Sequence, residues 1–194
     1  MQFEIFKFNK VTSTNDVAIK LIKENQKKNG CICARVQTKG RGTRGKEWIS
    51  ERGNLFISIF FPLEDKYPSF NEFSLITPVI ISDVIKHFCY KEKVNLKFPN
   101  DVFVNKKKIC GLLQETIISG TRKFLIIGIG INIVSSPDIN EEYQATNIFL
   151  ETKLKPKIED VIDLIISSYE KFFINIDLYN YTSFKKKAES MALN

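Results

Sequence analysis

The stretch CICARVQTKGRGTRGKEWISERGNLFISIFF, residues 31–61, decides how this chain is read, because strand, glycine-rich loop and strand follow one another without a break. Cys31 to Thr38 predicts one strand and Asn54 to Phe61 the next, both rich in β-branched or aromatic side chains. Between them, Gly40-Arg41-Gly42-Thr43-Arg44-Gly45-Lys46-Glu47-Trp48 gathers three glycines, three cations and an aromatic ring in nine residues. Glycine lets main-chain N–H groups approach an anion, and Arg41 and Arg44 carry fork-shaped donors that match phosphate or carboxylate oxygens. Trp48 suits stacking on a purine as well as plain packing. Taken alone, such a loop describes a surface or nucleic-acid contact as readily as a clamp for an anionic ligand.

Working outward, Phe3 to Phe8 predicts a first strand, and Ser13 or Thr14 caps a helix whose apolar positions Val17, Ala18, Leu21 and Ile22 recur at helical spacing, with Gly30 expected to end it. Phe73, Ile76, Ile80, Val84 and Phe88 form a second helical stripe, with Pro78 expected in the first turns or at a kink. From Asn95 to Val134 the pattern changes to short β-runs: Leu96 to Phe98, Val102 to Val104, Ile109 to Ile118 and Lys123 to Ile133. Asn105-Lys106-Lys107 and Ser119-Gly120-Thr121 read as the hairpin turns. Ile158, Val161, Ile162, Ile165, Ile166 and Tyr169 predict a further helix packed on the sheet. With no internal repeat, low-complexity tract or linker, the expected architecture is α+β (α/β): one mixed sheet flanked by helices, a single domain over 1–194.

Composition narrows the functional classes. A chain of 194 residues is long enough to bury a core without metal or disulfide staples. The four cysteines Cys31, Cys33, Cys89 and Cys110 form no C-x-x-C pair, which predicts reduced thiols in a cytoplasmic protein, with Cys31 and Cys33 on one face of a strand. The single histidine, His87, has no cysteine at zinc-ligand spacing. The N-terminus lacks a signal-peptide pattern, and no apolar run reaches membrane-spanning length. Lys and Arg outnumber Asp and Glu 29 to 22, a net charge of +7, but clusters such as Lys106-Lys107-Lys108 and Lys185-Lys186-Lys187 read first as solvated faces.

The neighbours of the glycine-rich loop resolve its ambiguity. Ser13-Thr14-Asn15 precedes it; Lys97-Phe98-Pro99-Asn100-Asp101, Lys108-Ile109-Cys110-Gly111 and Gly128-Ile129-Gly130-Ile131-Asn132 follow it. In order and spacing these motifs resemble those of the biotin protein ligases, strongly over residues 5–150. The chain departs from the family pattern at Thr43, which stands for an arginine, and at Phe98, which stands for a tryptophan. The resemblance implies a biotin/lipoate ligase-type catalytic domain in the enzyme-only form, without an N-terminal DNA-binding domain and without the family's small C-terminal β-barrel. It implies ATP and Mg²⁺, with biotin as substrate. The implied partner is the biotin carboxyl carrier protein of a biotin-dependent carboxylase; no nucleic acid or membrane partner is expected, and a homodimer is compatible with the reading.

Activating a carboxylate as a mixed anhydride with AMP brings two anions together, so the site must gather positive charge and align them. On the resemblance, Lys108, Arg41 and Asp101 are the catalytic residues, with Lys107 as the alternative register for the lysine. Biotin is expected against Ser13, Thr14, Asn15, Gln37, Gly40, Arg41, Gly42, Thr43, Lys108 and Gly111. The nucleotide is expected against Arg41, Arg44, Trp48, Asn100, Asp101, Lys108 and Asn132. Asp101 is the expected Mg²⁺ ligand and also the acceptor for the proton of the incoming lysine. A helix cap explains Ser13 and Thr14 equally well, and an Asx turn explains Asn100-Asp101. Two other functions stay open from the residues: a lipoate or octanoyl transferase of the same fold, against which the arginine loop and Trp48 argue, and a nonenzymatic nucleic-acid-binding domain resting on the charge.

Overall fold

A computed structural model of the chain describes residues 1–24, 26–138 and 143–193. Its centre is a seven-stranded sheet built from β1 (Ile5–Phe8), β2 (Gly30–Ala34), β3 (Leu55–Pro62), β4 (Val94–Lys97), β5 (Asp101–Val104), β6 (Lys107–Ser119) and β7 (Arg122–Ile131). The strand order is β1-β2-β3-β7-β6-β5-β4; β1 and β2 run parallel and every other neighbouring pair antiparallel, so the sheet is mixed. The helices are α1 (Thr14–Glu24), α2 (Phe70–Phe88), the short α3 (Ile148–Thr152), α4 (Ile158–Ile174) and α5 (Tyr181–Ser190). None of the described helices is long and apolar enough to cross a membrane.

Strand periodicity divides the side chains between two faces. Leu55, Ile57, Ile59 and Phe61 of β3 and Leu125, Ile127, Ile129 and Ile131 of β7 join the larger core beneath α2 and α4. The Tyr169 hydroxyl lies 3.2 Å from the Thr77 hydroxyl, joining those two helices inside that core. On the opposite face, Phe60, Phe124 and Ile126 pack with Ile32 against Ala18 and Ile22 of α1. Helix α1 covers only one end of that face. Further along β7, the residues that would continue the apolar layer are Gly128 and Gly130, and there the face opens into a cavity.

Several boundaries differ from the sequence expectation. The first helix ends at Glu24 and Gly30 already opens β2, where it pairs with Phe60. Pro78 lies in the buried middle of α2, not in its first turns, and leaves the Ser74 carbonyl without its usual i+4 donor. Strand β2 stops at Ala34, and the predicted remainder leaves the sheet to pair with the segment before α1 through the Val11 and Gln37 bridge. The short helices α3 and α5 had no clear periodic signal. The predicted hairpin turn is present at Asn105 and Lys106, both at positive φ (50° and 65°), and the thiols of Cys31 and Cys33 do share a face. All four cysteines are free.

Candidate active site

The open end of the α1 face is a cavity of about 720 Å³. Its floor is made by β6 and β7, where Gly111 pairs with Gly130 and Leu113 with Gly128. A β-carbon on Gly111 or Gly130 would stand 2.5 Å from the indole of Trp48, and one on Gly128 would stand 2.6 Å from Asn15 Oδ1. Glycine is therefore required here for room: it lets a flat group lie against the backbone. Trp48 occupies that position, half-buried, with its Nε1 buried and without a hydrogen-bond partner.

Lys108 reaches this cavity because of an irregularity in β6. Residues three apart in a regular strand point to opposite faces, so Lys108 and Gly111 could not both line the floor side. Between β5 and β6 the register steps from Val102 with Cys110 to Phe103 with Lys108, so Ile109 is the extra residue of a β-bulge. Ile109 and Cys110 both turn into the large core, and the parity of every residue before them is reversed. Lys108 thus faces the cavity, with Nζ 2.9 Å from Asp101 Oδ1 and 5.5 and 5.6 Å from the ring centres of Trp48 and Tyr143. Lys107 turns away and lies 3.5 Å from Glu151 of α3. Of the two lysines, Lys108 is the one that lines the cavity.

The glycine-rich segment is a small hairpin. Gly42 N–H donates to the Lys46 carbonyl at 2.7 Å and Trp48 N–H to the Gly40 carbonyl at 2.9 Å. Its tip is a 3₁₀ turn at Thr43–Gly45, where Arg44 adopts a left-handed conformation (φ 57°). Arg41, Gly42, Thr43, Arg44 and Trp48 all line the cavity. Gly40 does not; a β-carbon there would stand 2.3 Å from the Trp48 carbonyl oxygen, so this glycine allows the hairpin to close. Arg41 is paired within the protein. Its Nη1 and Nη2 donate to the two carboxylate oxygens of Glu115 at 2.8 and 2.7 Å, and Nη2 also reaches Asp16 at 2.8 Å. A guanidinium so paired holds the hairpin to the sheet.

Ser13, Thr14, Asn15 and Gln37 meet at the closed end beneath α1. The first helical N–H, that of Thr14, is capped from a distance by Gln37 Oε1 at 2.8 Å, and the Thr14 hydroxyl donates to the same oxygen at 3.1 Å. The Ser58 hydroxyl, fully buried, is 2.7 Å from the Thr14 hydroxyl and 2.5 Å from Asn15 Oδ1. Asn15 Nδ2 donates to Glu115 at 2.7 Å. Burial alone would push the Glu115 carboxyl up, but the hydrogen bonds from Arg41 and Asn15, with the Arg41 charge, hold it below the usual carboxylate range.

At the other end, Asn100 Nδ2 donates to the Leu112 carbonyl at 2.9 Å and Asn132 Nδ2 to the Thr146 carbonyl at 3.0 Å, so both amides also brace the cavity wall. Asp101 accepts from Lys108 and from the Tyr143 hydroxyl at 3.4 Å. Among the described residues no three His, Cys, Asp or Glu side chains gather as a metal site. Asp101 stands on the cavity wall as a single carboxylate engaged by Lys108; a magnesium ion takes one or two carboxylates and fills the rest of its shell with water and substrate phosphates. Lys46 and Lys97, which belong to the motifs but carry no assigned ligand, also line the cavity, as does Tyr143, which no motif marks, and Lys97 Nζ lies 4.3 Å from the Tyr143 ring centre. The sequence reading passed over Ser58 and Glu115. Period-two spacing from Gly111 through Leu113 would have found Glu115; nothing local marked Tyr143.

With this geometry in hand, comparison with known proteins is direct. Residues 6–132 match the Biotin/lipoate A/B protein ligase family. The chain is 34% identical over 125 residues to the bifunctional ligase/repressor BirA of Escherichia coli, a match covering 63% of this chain and 38% of that protein. It is 28% identical over 175 residues to the biotin–[acetyl-CoA-carboxylase] ligase of Paracoccus denitrificans, covering 87% of this chain and 72% of that one. The biotin protein ligase of Aquifex aeolicus, solved in complex with biotin and ATP, superposes with a TM-score of 0.79 at 28% identity, covering 98% of this chain and 78% of the other. The chain therefore spans well under half of the Escherichia coli relative.

Proposed function

The chain belongs to the Biotin/lipoate A/B protein ligase family, and from that premise we propose that it is a biotin protein ligase that uses ATP to join biotin to a lysine of a biotin carboxyl carrier domain. In the first step a carboxylate oxygen of biotin attacks the α-phosphorus of ATP; the new P–O bond forms biotinyl-5′-AMP and pyrophosphate leaves. In the second, the acceptor ε-amine attacks the acyl carbon, loses a proton and expels AMP. Mg²⁺ enters this scheme with the triphosphate, as part of the substrate, and the cytoplasm is the proposed setting.

The observation that carries the reading is the position of Lys108. Its ammonium group stands on the wall of a cavity that is also lined by the hydrogen-bonding side chains of Thr14, Asn15 and Gln37 and by the cations Arg44, Lys46 and Lys97. A ureido ring, with one acceptor and two donors, suits the first set, and a polyphosphate suits the second. We assign Lys108 the charge that develops where the carboxylate and the α-phosphate meet. We assign Asp101 the proton of the acceptor amine, released to act once Lys108 turns to the anionic reactants. Trp48 is assigned to the purine.

The test is to incubate the protein with MgATP and either biotin or lipoate and to seek the acyl-adenylate by mass spectrometry. Biotinyl-5′-AMP is the expected product. A lipoyl adenylate in its place would move the chain to the lipoate branch, and no adenylate with either acid would sink the ligase reading.

A further inference from the structure

The hydrogen bonds at the closed end of the cavity join into a ring that begins and ends on the glycine-rich hairpin. From Arg41 the path runs to Glu115 on β6, then to Asn15 on α1, Ser58 on β3 and Thr14. Thr14 leads to Gln37 through its backbone N–H, which donates to Gln37 Oε1 at 2.8 Å; Gln37 Nε2 donates to the Ser50 hydroxyl at 3.0 Å, and the Ser50 hydroxyl donates to the Trp48 carbonyl at 3.1 Å. Both arms of the hairpin are thus fastened, Arg41 on one and Trp48 on the other. Ser58 and Asn15 form the buried middle of the path, at 0% and 2% exposure, where hydrogen bonds are not exchanged for water.

We propose that Glu115 is a positioning residue of the proposed adenylation site, seating the Arg41 guanidinium and the Asn15 amide so that the hairpin and the biotin end of the cavity are held as one unit before substrate arrives. The inference rests on the ligase reading for its kinetic consequence, but not for its structural one. Charge decides why a carboxylate stands there. A bidentate Arg–carboxylate pair fixes the plane of both partners as well as their distance. Asp16, from the first turn of α1, meets the same guanidinium from a second side, so Arg41 bridges loop, helix and strand. A neutral amide in place of Glu115 has the same shape but can accept through only one oxygen, and it leaves Arg41 with one carboxylate, Asp16, in place of two.

The experiment uses the full chain without ligands and then with substrates. In the free protein, Glu115→Gln should raise hydrogen exchange at the Gly42, Lys46 and Trp48 amides by about tenfold, the scale of losing a charge-assisted hydrogen bond. Exchange at β3 and β7 amides should stay as in the parent, which reports that the fold is intact. Arg41→Gln, an exposed-loop change that cannot unfold the sheet, should produce the same loop exchange, and the double variant should be no worse than either single one. With substrates, both variants should raise the biotin KM of adenylate formation by more than they lower kcat. Loop exchange unchanged by Glu115→Gln, or fully additive effects of the two substitutions, would overturn the proposal. If the parent makes no biotinyl adenylate, the ligase reading fails while the exchange data still decide the role of Glu115.

Discussion

At the scale of single residues, the neighbours Lys107 and Lys108 differ in environment more than in chemistry. Lys108 is sandwiched between two rings and a carboxylate on the cavity wall, whereas Lys107 serves Glu151 on the far side. Lys108→Ala should therefore lower the rate of adenylate formation by about two orders of magnitude or more, the usual cost of removing a preorganised donor. Lys107→Ala should leave it within a few-fold. Single-turnover measurements on both variants decide the matter, and a crippling Lys107→Ala would contradict the bulge at Ile109. The floor admits an independent check. Trp48 is the only tryptophan, and Gly130→Ala places a methyl group where the indole now lies, so its emission should shift without ligand present. An unchanged spectrum would show that the ring does not rest on the floor.

At the scale of elements, α2 is the helix that closes the large core, and its start is secured by a reciprocal cap. The Ser69 hydroxyl accepts from Glu72 N–H, and the Glu72 carboxylate accepts from Ser69 N–H at 2.9 Å. Those bonds, with the Tyr179 hydroxyl donating at 3.0 Å, tie the helix start to the segment before α5. The Ser69 backbone hydrogen bond is the main reason the Glu72 carboxyl lies below its ordinary value; burial acts in the other direction. A carboxyl depressed in the folded state stabilises above its unfolded pKa, about 4.3, and that contribution fades as pH falls through the folded value. Ser69→Ala keeps the backbone N–H but removes the hydroxyl that accepts from Glu72 N–H and donates to its carboxylate, and should cost about 1 kcal/mol at neutral pH. In urea unfolding the difference from the parent should shrink in acid, and a difference that grew on acidification would assign the cap to something other than the carboxylate.

At the scale of the whole molecule, the thiols report on the sheet. Burial raises the pKa of Cys31 and Cys110 far above its ordinary value and pushes that of Cys89 up to about 12; half-buried Cys33 is raised too, again chiefly by burial. A thiol that stays protonated and enclosed does not react. Pulse alkylation across a urea series should modify Cys31, Cys89 and Cys110 together, in the global transition, with Cys33 the first to react. Early labelling of Cys110 would mean that the hairpin carrying Lys108 opens separately. Much of this architecture was legible in the chain itself. Period-two and helical spacing located the strands and long helices, the Asn105 turn was marked by residues that tolerate positive φ, and motif order brought nearly every expected site residue to one cavity. These are properties of neighbours in sequence, and local sterics and hydrophobic periodicity encode them directly. The sequence could not decide which lysine faces the cavity, that Arg41 is already paired, or that Ser58 and Glu115 belong to the site. Each depends on a strand register or a contact between residues far apart in the chain: a one-residue bulge reverses the parity of everything before it, and a carboxylate 74 positions from its arginine becomes a partner only when the sheet brings the two together.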